Sequence, residues 1–118
     1  MQAMVVDDSR AMRMILGRMM RELGFEVTEA TTGRDALERL EAGTDPDVVL
    51  VDWNMPEMTG IESLRAIRAA GSDVTFGFVT SEGSEEMRAE AAAAGAAFLI
   101  AKPFTADTFR DVLEQFVA

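Results

Sequence analysis

The sequence contains no cysteine and no histidine. Without thiols it can form no disulfide and no thiolate metal site. Without imidazole it has no histidine-based triad and no ordinary zinc site. Any phosphohistidine chemistry must therefore use a histidine that belongs to a partner. Tyrosine is also absent, and lysine occurs once, as Lys102; every other basic side chain is an arginine. Acidic residues outnumber basic ones by 21 to 11, a net charge of −10. That balance argues against general nucleic-acid binding and against anionic membrane surfaces. No apolar stretch is long enough to span a bilayer, and no signal-peptide pattern precedes the first strand. A cytoplasmic protein with no membrane insertion is expected.

What is present suits one small domain over residues 1–118. A chain of this length buries roughly two thirds of the surface its unfolded form exposes, and 48% hydrophobic residues supply a core. Strand and helix patterns alternate throughout. After Asp7 and Asp8, Ser9 can cap a helix running to about Leu23, with Met12, Ile15, Leu16, Met19 and Leu23 as its apolar stripe. The Met12, Met19 and Met20 cluster reads as helix packing. Residues 25–30 alternate like a half-exposed edge strand. Thr32 and Gly33 open a second helix carrying Ala36, Leu37 and Leu40, which Gly43 stops. A strand from about Asp47 to Val51 is apolar from Val48 on, as expected for a strand covered on both faces. Thr59-Gly60-Ile61-Glu62 fits a capping box for a third helix, with Leu64 and Ile67 inward. A fourth strand spans about 74–79, and an alanine-rich fourth helix spans about 84–94, closed by Gly95. A fifth strand ends at Lys102. Thr105 can cap the last helix, whose stripe is Phe109, Val112, Leu113, Phe116 and Val117. The pattern is (βα)5, and right-handed crossovers place helices on both faces of a parallel sheet.

The polar residues that end these strands are the informative ones. Ala3-Met4-Val5-Val6 runs into Asp7-Asp8, Val48-Val49-Leu50-Val51 into Asp52, Phe76-Gly77-Phe78-Val79 into Thr80, and Phe98-Leu99-Ile100-Ala101 into Lys102. In an open parallel sheet, ligands bind outside the carboxyl ends of the strands. If the first and third strands are adjacent, Asp7, Asp8 and Asp52 crowd one cleft. Like charges at that range oppose folding unless a cation neutralises them. Oxygen ligands without His or Cys select Mg²⁺, Mn²⁺ or Ca²⁺, and a small site that keeps several waters suits Mg²⁺. A metal-bound aspartate near a lysine and a threonine points to phosphoryl transfer onto the carboxylate. Mg²⁺, Lys102 and the Thr80 hydroxyl could each meet one phosphoryl oxygen.

Taken together, Val5-Val6-Asp7-Asp8-Ser9-Arg10, Asp52-Trp53-Asn54-Met55-Pro56, Gly60, Thr80-Ser81-Glu82 and Lys102-Pro103-Phe104 resemble a response-regulator receiver domain of the single-domain chemotaxis type. The similarity covers essentially the whole chain. It implies a flavodoxin-like α/β fold with strand order 2-1-3-4-5. It implies that Asp52 is the phosphoacceptor. Asp8, Asp52 and the Asn54 backbone carbonyl would hold Mg²⁺ directly, and Asp7 would act through water. Thr80 would be the switch hydroxyl and Lys102 the phosphate-binding lysine, followed by a cis peptide bond to Pro103. Asn54 and Glu82 would flank the pocket and influence the lifetime of the acyl phosphate.

The implied partners are a histidine kinase or histidine phosphotransfer protein and a downstream protein target on the surface of the fourth helix, fifth strand and fifth helix. The protein would act as a monomer and as a phosphoacceptor that catalyses its own phosphorylation and dephosphorylation, rather than as an enzyme. Arg10, Arg13, Arg18 and Arg21 make the outer surface of the first helix basic. That is either a solvated face or a dock for an acidic, histidine-bearing partner. The family usually carries an aromatic three residues before the lysine; here that position is Leu99, preceded by Phe98. Output is therefore expected to change through Thr80 and the loop after it, with little side-chain swing at the fifth strand. A phosphate sink and an unphosphorylated pseudo-receiver are the alternatives. An aspartyl phosphatase would need an acid where Asn54 stands. Asp-Asp-Ser-Arg would repel a flavin phosphate, and no Walker lysine motif occurs.

Overall fold

Ten elements alternate without exception. They are β1 (Gln2–Val6), α1 (Arg10–Glu22), β2 (Glu26–Ala30), α2 (Gly33–Glu41), β3 (Val48–Asp52), α3 (Gly60–Ala69), β4 (Thr75–Thr80), α4 (Glu85–Ala94), β5 (Phe98–Ala101) and α5 (Ala106–Phe116). They come from a computed structural model that describes residues 1–55 and 57–116. Pro56 of the acceptor-loop motif and Val117 of the last apolar stripe lie outside the described residues. The strands pair in parallel in the order β2-β1-β3-β4-β5. This is the flavodoxin-like order expected from the resemblance.

Local sequence accounts for the helix boundaries. Ser9, Thr32, Thr59 and Ser84 each turn a side-chain oxygen onto a backbone N–H of the first turn, which satisfies a donor the helix leaves free. At Thr59 the bond is reciprocated by Glu62, completing the capping box. Thr105 does the same for Thr108 at the start of α5. Gly95 ends α4 in the left-handed conformation, with φ of 104°.

The sheet separates two apolar layers. Met4, Val6, Val49, Val51, Phe76 and Phe78 pack under α2, α3 and α4. Val5, Leu50, Val79 and Ile100 pack under α1 and α5, with Leu16, Met20, Phe109 and Leu113. Central strands buried on both faces explain the unbroken apolar runs.

Two stripe residues do not sit where helical spacing puts them. Ile15 is 49% exposed and Phe116 is 43% exposed. In α1 the buried residues are Leu16, Gly17 and Met20. Gly17 lies close enough to β2 that a Cβ there would be 3.7 Å from Val27 Cγ1. The helix therefore approaches the sheet along Leu16, Gly17 and Met20, and Ile15 turns outward beside Met14. Phe116 covers Phe98, with ring centroids 5.6 Å apart, and its other side faces solvent.

The loop from β3 to α3 holds Glu57 at φ of 68°, in the left-handed region that a residue with a Cβ enters at a cost of about 1–2 kcal/mol. Glycine removes that cost and adds about 0.5–1 kcal/mol of backbone entropy to the unfolded chain. Glu57→Gly is therefore expected to raise the unfolding free energy by roughly 0.5–1 kcal/mol in urea titration. A loss of stability would show that the Glu57 side chain makes a compensating contact.

Candidate functional site

The parallel register sets which strand ends meet. Val6 pairs with Val51, so the residues that follow, Asp7 and Asp52, leave the sheet side by side. Asp8 comes next on the β1 side. The three carboxylates offer oxygens within 4.8 Å of one another. They are not equivalent. Asp7 is 1% exposed and Asp8 lies open to solvent. Asp7 stays in the sheet end because its N–H donates to the Ala30 carbonyl of β2 at 3.2 Å.

The hydrogen bonds around Asp7 leave it incomplete. Its Oδ1 accepts from the Ser9 N–H at 2.8 Å. Its Oδ2 is buried with no partner among the described residues. Buried polar atoms are nearly always paired, so an orphan of this kind marks an arrangement that some other group completes. Burial, then the charges of Asp52 and Asp8, push the Asp7 carboxyl up from 3.8 to about 6; the Ser9 N–H and the Lys102 ammonium oppose this. Burial raises Asp52 as well, against the pull of Lys102 and of the Asn54 N–H, with Asp8 adding to the rise.

Lys102 and Thr80 approach from the other side. Lys102 Nζ is 4.0 Å from Asp52 Oδ1. The Asn54 N–H donates to the same Asp52 oxygen at 3.3 Å, and Asn54 itself is exposed. Thr80 is fully buried at the end of β4. Its Oγ1 accepts from the Glu82 N–H at 3.1 Å, and its carbonyl accepts from the Lys102 N–H at 2.6 Å. The Lys102–Pro103 bond is cis. The five residues singled out from the strand ends thus gather at the carboxyl edge of the sheet, the three carboxylates and Lys102 around Asp52, and Thr80 buried beside Lys102.

Two supporting residues were visible only in part. Ser9 reads from sequence as a helix cap, and its backbone also donates to Asp7. Gly60 reads as part of a motif, and its reason is steric. A Cβ there would be 2.7 Å from the Asp52 carbonyl oxygen and 2.8 Å from Phe78 Cε1. Only glycine lets α3 start this close to the acceptor strand. Trp53 rests on Phe78, with centroids 4.7 Å apart.

Chemically the cluster is a set of hard oxygen donors with one cation beside it. It could hold a divalent metal ion, which would neutralise the crowded carboxylates and complete the orphaned Asp7 oxygen.

The raised Asp7 value has a signed consequence. The folded state holds a proton on Asp7 up to about pH 6, whereas the unfolded state releases it near 3.8. Stability therefore falls as pH rises through that window, by roughly 3 kcal/mol at most for this group; Asp52 acts in the same direction. In the presence of a chelator, Asp7→Asn is expected to gain on the parent protein as pH goes from 4 to 7. Parallel stability curves for the two proteins would refute this role for Asp7.

Comparison with known proteins agrees with this geometry. The family model described as "Response regulator receiver domain" matches residues 3–114. The chemotaxis protein CheY of Pseudomonas aeruginosa is 41% identical over 118 residues, covering 98% of this chain and 94% of its own. A chemotaxis protein CheY1 of Helicobacter pylori is 38% identical over 117 residues, covering 97% and 94%. Among solved structures, chemotaxis protein CheY4 of Vibrio cholerae superimposes with a TM-score of 0.91 at 32% identity, covering 98% of each chain. A receiver domain protein from Clostridium thermocellum, 23% identical, shares the fold with a TM-score of 0.88 over 98% of this chain and 93% of its own. The chain belongs to the response regulator receiver domain family and is a regulator of two-component signalling.

Proposed function

We propose that Asp52 accepts a phosphoryl group from a phosphohistidine of a histidine kinase or phosphotransfer protein, and that the chain catalyses both this transfer and the later hydrolysis. The observation that carries the reading is the cluster itself. Three carboxylate oxygens lie within 4.8 Å of one another, with Lys102 Nζ 4.0 Å from Asp52.

An Asp52 oxygen attacks phosphorus, the phosphorus–nitrogen bond of the donor breaks, and the imidazole nitrogen leaves with the electron pair and is protonated from solvent. The Lys102 ammonium meets one phosphoryl oxygen, and the Thr80 hydroxyl donates to another once its side chain turns from the Glu82 N–H. Asp8, Asp52 and the Asn54 backbone carbonyl would hold Mg²⁺, with Asp7 acting through a water. The ion would neutralise charge that builds on the phosphoryl oxygens. Asn54 and Glu82 line the approach of the hydrolytic water.

Relatives named as chemotaxis proteins, at 38–41% identity over nearly their whole length, support a role in chemotaxis or motility. Output would be binding of a protein target on the α4-β5-α5 face, reweighted by phosphorylation. The donor would dock on α1. Exposed Met14 and Ile15 stand there beside Arg10, Arg18 and Arg21, a basic patch on an acidic chain that suits an acidic, histidine-bearing helix.

With acetyl phosphate and Mg²⁺, intact mass should rise by one phosphoryl group on the parent protein and not on Asp52→Asn. Equal labelling of both would exclude Asp52 as the acceptor. Millimolar Mg²⁺ should also raise the melting temperature and alter Trp53 emission, because an ion that binds only the folded state stabilises it.

Ile15→Ala combined with Arg18→Glu should slow phosphotransfer from a histidine phosphotransfer domain by about tenfold or more, a loss of at least ~1.4 kcal/mol. Labelling by acetyl phosphate should stay within about twofold. An equal fall in both rates would place the effect at the acceptor site rather than at docking.

A further inference from the structure

α4 is the helix least anchored by packing. Ala91 is its single fully buried residue, against Leu16, Gly17 and Met20 in α1, or Phe109 and Leu113 in α5. Its alanine-rich face has little to bury, so polar links weigh more heavily. The pair between Arg65 and Glu90 spans 3.9 Å with both side chains about half exposed or more, and such pairs contribute little.

Arg88 is different. Its Nη1 donates to the backbone carbonyl of Leu99 at 3.2 Å, tying α4 to β5. Its Nη2 lies over the loop that precedes α4: a Cβ built on Gly83 would be 3.5 Å from that nitrogen and 3.0 Å from the Ala101 Cβ. Among the described residues Arg88 has no carboxylate partner, so its bond to Leu99 is not shared with an ion pair. Arg88 also lines a groove of about 320 Å³ together with Phe98, Leu99 and Phe116. The Leu99 side chain is itself buried, so the contact uses its carbonyl and not its side chain.

The loop beneath Arg88 is short and begins at the functional cleft. Thr80 Oγ1 holds the Glu82 N–H at 3.1 Å. Gly83 follows, and Ser84 caps α4 by accepting from the Met87 N–H at 3.2 Å. A turn of the Thr80 hydroxyl toward a group on Asp52 gives up the bond to Glu82, and three residues carry that change to the first turn of α4. Arg88 ties the helix that this loop enters to the neighbouring strand, through the Leu99 carbonyl, and its Nη2 stands close by Gly83.

We propose that Arg88 is a latch that holds α4 and the β4–α4 loop against β5 in the unphosphorylated arrangement, and that phosphorylation must release it. The latch rests on the reading of Asp52 as the phosphoacceptor. A contact made in only one of two arrangements biases their equilibrium, and the bias acts reciprocally on whatever binds the other arrangement. Removing the latch should therefore tighten binding of a phosphoryl analogue at Asp52, although it weakens the resting structure. A residue that only stabilises the fold would lower the melting temperature without tightening anything.

The test is a titration of the full chain with beryllofluoride in the presence of Mg²⁺, followed by Trp53 emission, together with hydrogen exchange of the α4 amides. Arg88→Met keeps the apolar stem and deletes the donors. It is expected to bind beryllofluoride about fivefold or more tightly than the parent protein, with faster exchange over α4 and unchanged protection of β1 and β3. Gly83→Ala, which wedges the loop away from Ala101, should shift affinity in the same direction and decides the matter if Arg88→Met does not fold. Affinity within about twofold of the parent, or weaker, for the folded variants overturns the latch alone. Failure of the parent protein itself to bind beryllofluoride overturns the reading of Asp52, and the latch with it.

Discussion

Repulsion among three carboxylates is the constraint around which this structure is arranged. Asp7, Asp8 and Asp52 present oxygens within 4.8 Å of one another, and burial raises the affinity of Asp7 and Asp52 for protons. Charges so placed favour separation. They stay together because the strands that carry them cannot separate. β1 and β3 pair in register from Ala3–Val48 to Val6–Val51, and their side chains fill both apolar layers. Hydrophobic burial far from the cleft thus sustains an unfavourable cluster at its mouth. The same tension makes the cleft receptive to a cation or to partner groups that neutralise it.

The rest of the cleft is built by backbone rather than by side-chain contact. Asp7 is held by the Ser9 N–H, Asp52 by the Asn54 N–H, and Thr80 by the N–H groups of Glu82 and Lys102. Each donor belongs to the loop that follows a strand. A change at one carboxylate is therefore felt as a change in loop geometry. Gly60 lets α3 begin against the Asp52 carbonyl, and Trp53 against Phe78 closes one wall. The β4–α4 loop passes close to β5 at Gly83, where a Cβ would be 3.0 Å from the Ala101 Cβ. It is fastened by Thr80 at one end and by the Ser84 cap at the other, and it leads into the helix with the fewest buried residues, which Arg88 ties to the Leu99 carbonyl of β5. Support is thus denser on the β1–β3 side of the cleft than on the α4 side, where Ala91 is the helix's one buried residue.

Much of this was legible before any coordinates. Apolar runs bounded by turn residues mark four of the strands, because strands covered on both faces need no alternation, and alternation marks β2 as an edge strand. Ser9, Thr32, Thr59 and Thr105 mark helix starts, and Gly95 marks a stop; the Ser84 cap of α4 emerged with the structure. Asp7, Asp8, Asp52, Thr80 and Lys102 fall at strand ends in the sequence, and strand ends are where an open parallel sheet binds its ligands. These are local properties, set by neighbours a few residues away.

What the tertiary structure alone decided depends on distant segments. Nothing in the apolar runs says that β1 lies between β2 and β3; the resemblance implied that order, and the packed sheet is what brings Asp7 beside Asp52. Helical spacing put Ile15 and Phe116 inward, but the close approach of Gly17 to Val27 rotates α1 so that Ile15 faces solvent, and Phe116 only caps Phe98. The unequal burial of Asp7 and Asp8 follows from the hydrogen bond of Asp7 to Ala30 on another strand. Arg88 reads as one more surface arginine until β5 brings the Leu99 carbonyl within reach of it. Periodicity and capping report on the chain near each residue, whereas strand order, helix rotation and loop contacts are settled by which surfaces pack best across the whole fold.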